Sequence, residues 1–88
     1  MTEAIAPGLV ATWEAANLEL THAQLNYDKP RMDDSLEEVR QRLSRAYAGV
    51  ADAYEAVLAD SELPEILTAA LRDAREYHRA CSTSVPPR

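Results

Sequence analysis

The stretch LEEVRQRLSRAYAGVADAYEAV, residues 36–57, decides the fold. Leu36, Val39, Leu43, Ala46, Val50, Ala53 and Val57 recur at alternating steps of three and four. Such spacing puts them on one side of an α-helix and makes an unbroken heptad seam. Tyr47, Ala51, Tyr54 and Leu58 add a neighbouring stripe, so the apolar face widens toward residue 58. Gly49 stands inside this helix, where glycine costs about 1 kcal/mol against alanine. Either the glycine is simply tolerated there or another helix approaches closely.

The chain on either side is helical too. Pro7-Gly8 opens a first helix, expected over 8–28, and Asp28-Lys29-Pro30 closes it, because the residue before a proline avoids helical geometry. The central helix is expected over 35–59. Asp60-Ser61-Glu62 is a break, and Pro64 fits the first turn of a third helix over 64–81. The reading is one all-α domain over 1–81, a three-helix bundle, with a disordered tail over 82–88.

The first helix carries two seams. Leu9, Trp13, Ala16, Leu20, Ala23 and Tyr27 form one; Ala11, Ala15, Leu18, His22 and Leu25 form the other. Offset by two residues, they lie about 200° apart around the helix. A helix apolar on two sides needs two neighbours. The third helix has Leu63, Ile66, Leu67, Ala70, Leu71, Ala74, Tyr77 and Cys81 on one broad face. It is too short to cover a central helix about 37 Å long. The bundle is therefore expected to be completed by homodimerisation.

Composition narrows the function. The 88 residues are 47% hydrophobic, with two glycines and no phenylalanine. This is globular, helix-favouring usage. The net charge of −6 argues against nucleic-acid and anionic-membrane partners. No apolar run is long enough to span a bilayer. Met1 to Ala6 lack the basic start of a signal peptide, and one cysteine cannot form an internal disulfide. A soluble, cytoplasmic protein is expected.

Asp34-Ser35-Leu36 opens the central helix. Ser35 with Glu38 reads as a capping box, and Asp33 and Asp34 suit the positive end of the helix dipole. The same three residues resemble the Asp-Ser-Leu motif of acyl and peptidyl carrier proteins, which are also small, acidic and helical. The resemblance implies Ser35 as a phosphopantetheine site. The chain departs from that family in having Arg31-Met32-Asp33 before the motif instead of a glycine. It departs again in a long central helix bearing Arg40, Arg42 and Arg45.

Arg40, Arg42 and Arg45 with Arg72, Arg75 and Arg79 form a second candidate set. In an antiparallel hairpin both groups would fall at one end, opposite Asp52, Glu55, Asp60, Glu62 and Glu65. Arginine forks suit carboxylate and phosphate, so an anion-binding helical enzyme is one alternative. The small helical chorismate mutases use arginines this way, though with one from a first helix that has none here. The other reading is a solvated face, with Glu37–Arg40 and Glu38–Arg42 pairs. Glu19 with His22 and His78 with Cys81 have ligand-like spacing without a second copy, so no metal or other cofactor is expected.

The aromatic residues Trp13, Tyr27, Tyr47, Tyr54 and Tyr77 all have polar tips, a type enriched at interfaces. No nucleophile triad, phosphate loop or CxxC is present. The function expected is a protein–protein interaction module: adaptor, inhibitor or small regulatory subunit, binding a protein partner, itself or both. Trp13, Leu18, His22, Leu25, Tyr47 and Tyr54 are its expected interface.

Overall fold

The computed structural model describes residues 7–60 and 63–86, without the side chain of Asp60. The expected break at Ser61 and Glu62, and the last two residues of the tail, lie outside the described residues. Three helices follow in order: α1 (Pro7–Asp28), α2 (Leu36–Asp60) and α3 (Glu65–Thr83). They match the expected spans to within two residues at each end.

Local chemistry sets the boundaries. Asp34 shapes the loop before α2: the Arg31 N–H donates to its Oδ2 at 2.9 Å, and its own N–H donates to the Arg31 carbonyl. The Glu38 N–H then donates to Ser35 Oγ at 3.3 Å, so Ser35 caps α2. Glu37 and Glu38 lie in the first turn, where the helix dipole favours negative charge. Pro64, with ψ 149°, stands just outside α3 rather than in its first turn, and its carbonyl accepts the Thr68 N–H.

The third helix runs two residues past its expected end. Ser82 Oγ donates to the Ser44 carbonyl at 2.8 Å, and Ser44 Oγ donates to the Ser82 carbonyl at 2.6 Å. These bonds hold the last turn against α2. Val85 packs on the core, and the Tyr27 hydroxyl donates to the Pro86 carbonyl at 2.8 Å. The described part of the expected tail therefore lies against the bundle, tied by the hydroxyls of Ser44, Ser82 and Tyr27.

The heptad seam of α2 is the core. Val39, Leu43, Ala46, Val50, Ala53 and Val57 are buried, with Ala51 beside them; only Leu36, at the open end, is exposed. From α1, Leu20 and Ala23 are buried against it. From α3 no residue is fully buried. Gly49 makes no close approach: a Cβ added there would meet nothing within 4 Å.

The three helices do not close on one another. Both α1 and α3 pack on α2, yet no Cα of α1 comes within 8 Å of a Cα of α3. The outline is long and flattened, 51 × 21 × 15 Å. Rings wedge the outer helices apart. Tyr54 of α2 meets Trp13 edge-on, with centroids 6.1 Å apart, and His78 of α3 at 5.6 Å. Tyr47 meets His78 at 6.1 Å.

Candidate functional site

The gap between α1 and α3 is a groove over α2 that holds two separate hollows. Near one end Val10 and Trp13 of α1, Tyr54 and Val57 of α2 and Leu71 of α3 line an apolar hollow of about 320 Å³. Toward the other end a larger hollow, about 510 Å³, lies between Gln24 and Asp28 of α1, Leu43 and Tyr47 of α2, and Cys81 and Ser84. Gln24 Nε2 donates to the Tyr47 hydroxyl at 3.1 Å across this part. On the α3 side Tyr77 stacks edge-on against His78 at 5.3 Å. A hydrogen bond with Cys81 pushes the Tyr77 phenol above its ordinary pKa.

Trp13 is the unusual member. Its Nε1 is buried and has no acceptor among the described residues. A buried donor left unmatched costs roughly 1–3 kcal/mol. The indole therefore sits in the groove wall at a cost that an incoming acceptor, or a shift of the ring on binding, would remove.

The second seam of α1 faces away from α2. Ala11, Ala15 and His22 are exposed there, and so are Leu18 at 58% and Leu25 at 61%. The six expected interface residues thus divide between two surfaces. Trp13, Tyr47 and Tyr54 belong to the groove; Leu18, His22 and Leu25 belong to the outer face. On α3, Ile66 at 83% and Tyr77 at 63% are exposed beside the groove.

The arginines do not gather at one end. Arg40 pairs with Glu37 along α2, as expected, but Arg42 reaches across to Glu19 of α1 at 2.8 Å instead of Glu38. Arg75 and Arg79 lie beside Glu55, and Arg79 also faces Asp52. The supposed acidic end therefore carries two of the bases: residues 75–79 of α3 lie alongside residues 52–55 of α2. The Arg42 bond holds the Glu19 carboxyl below its ordinary pKa, and that of Arg40 does the same for Glu37. Arg45 lines a shallow hollow with Glu19, Arg42 and Gly49 on another face, and Arg72 is exposed with no ion pair among the described residues.

Ser35 is exposed, with its Oγ accepting the capping bond. Among the described residues no group of three His, Cys, Asp or Glu side chains is placed to hold a metal. His78 Nδ1 donates to the Ala74 carbonyl at 2.7 Å. Among the described residues no helix is long and apolar enough to cross a membrane. No protein-family model, curated protein or solved structure matches the chain.

Sequence reasoning did not place Val10, Leu71 or His78 at this site: Leu71 was read as part of the apolar face of the third helix and His78 by its spacing to Cys81. His78 instead touches Tyr47, Tyr54 and Tyr77. Its position seven residues after Leu71, on the same face, was the available signal.

Proposed function

We propose that this chain is a small helical interaction module acting as an adaptor, an inhibitor or a small regulatory subunit. One observation carries the reading: two apolar surfaces have no partner among the described residues. The outer seam of α1 leaves Leu18 and Leu25 in solvent, and the groove leaves the faces of α1 and α3 apart. A small domain buries a modest fraction of its surface, so covering these faces would add appreciably to its stability. The partner is another protein, a second copy of this chain, or both.

Size-exclusion chromatography with light scattering, together with affinity capture from a native lysate, tests this. The wild-type chain should self-associate or retain a partner, and the Leu18→Glu/Leu25→Glu variant should lose that behaviour while keeping its helix content. A folded wild-type chain that stays monomeric and retains no partner would overturn the reading.

A further inference from the structure

We infer that the outer seam of α1 docks on the same seam of a second copy of this chain, the two helices running antiparallel about a two-fold axis at Leu18. This rests on the interaction-module reading and names its partner.

The surface is open. Ala11, Ala15, Leu18, His22 and Leu25 are exposed, and Leu18 and Leu25 are the barest large apolar side chains of α1. Glu14 and Thr21 flank this seam and are exposed as well.

The order of the residues selects the occupant. The seam is sorted by size: alanines at 11 and 15 precede Leu18, and His22 and Leu25 follow it. A parallel second copy would set alanine on alanine at one end and bulk on bulk at the other. In a copy reversed about Leu18, positions equally far from that residue come together. Seven residues to either side, Ala11 meets Leu25 of the second copy. Four to either side, Glu14 meets His22; three to either side, Ala15 meets Thr21. Each Leu25 then enters the space that an alanine leaves, as close helix packing requires. A two-fold interface demands such matching of a surface with itself, whereas a helix of other sequence does not.

Charge agrees with this register. Glu14 is the one carboxylate on the seam face between Ala11 and Leu25, and Glu19, to its side, is engaged by Arg42. The face is therefore close to neutral although the chain carries −6. The two-fold sets each Glu14 carboxylate beside an imidazole whose ring N–H can donate to it. It also keeps the two Glu14 positions about 12 Å apart along the helices, where a parallel pair would put them level. Thr21 asks for no polar partner, because its hydroxyl donates to the Asn17 carbonyl at 3.0 Å. A single pair of helices covers less than the roughly 1,600 Å² of a standard interface, so the dimer is weak, with a dissociation constant of about a micromolar or higher.

Sedimentation of the full chain over a concentration series tests the association. A reversible monomer–dimer equilibrium is expected. Leu18→Glu, which sets two carboxylates at the axis, should weaken it by at least about tenfold with unchanged circular dichroism. Ile66→Glu, at an exposed position of α3, should leave it unchanged. Disulfide cross-linking in a Cys81→Ser background, under a glutathione redox buffer, reads the orientation. The bond needs Cβ atoms about 3.5–4.5 Å apart. Ala11→Cys and Leu25→Cys chains should cross-link when mixed and not when oxidised separately, because like positions lie about 21 Å apart in the antiparallel pair. The reverse pattern, or no cross-link in any mixture, overturns the inference. So does a dimer insensitive to Leu18→Glu or broken by Ile66→Glu, or a chain that stays monomeric up to about a millimolar. A monomer that binds another protein through Leu18 removes this inference and leaves the interaction module standing; a monomer that binds nothing removes both.

Discussion

At Trp13 a single atom outweighs the usual accounting of buried area. Burying an aromatic ring stabilises a fold, but a buried N–H without an acceptor takes much of that back. Trp13→Phe is therefore expected to change unfolding stability by less than about 1 kcal/mol in urea titrations, where a satisfied indole would cost more. Gly49 is simpler. Its added Cβ meets open space, so Gly49→Ala should raise stability by about 0.5–1 kcal/mol, visible as a higher Tm. Glu19 gives a pH signature. Its folded-state pKa is lowered by Arg42, so its contribution is complete above the ordinary carboxylate range and is lost as pH falls through the folded value. The pair is half exposed and contributes no more than about 1 kcal/mol. Glu19→Gln should thus slightly lower Tm at neutral pH and match the wild type in acid.

Among the elements, α2 was the most legible and α3 the least. The heptad seam of α2 is long, regular and buried nearly throughout, so its period alone identifies core residues. Leu43→Ala should cost about 2–5 kcal/mol, much of the stability a chain this size commands. Chemical denaturation with unchanged native helix content would check it. The two seams of α1 were also legible, because phase around a helix follows from sequence spacing. Which seam would face α2 was not fixed by period. Ala16 and Ala23 let that helix approach closely, and Leu20 fills the space between them. For α3 the periodicity marked a broad apolar face, but no residue of it is fully buried. A face seen in sequence says what could be covered, not how much is covered. The expected gathering of the arginines at one end was not met for a related reason: charge pairing across helices depends on stagger, and stagger is a tertiary property.

For the whole molecule, the consequence of that stagger and of the aromatic wedge is an open arrangement rather than a closed bundle. Tyr47, Tyr54 and His78 were readable as aromatic or titratable residues, but their convergence between α1 and α3 was not. Convergence needs three elements placed in space. The most direct measurement is amide nitrogen–proton NMR of the full chain across a concentration series, repeated with a partner captured from native lysate. Saturable shifts concentrated at Leu18 and Leu25, or at Val10, Trp13, Tyr54 and Leu71, with Gly49 unmoved, are expected. Shifts scattered over the whole surface, or absent altogether in both experiments, would contradict it.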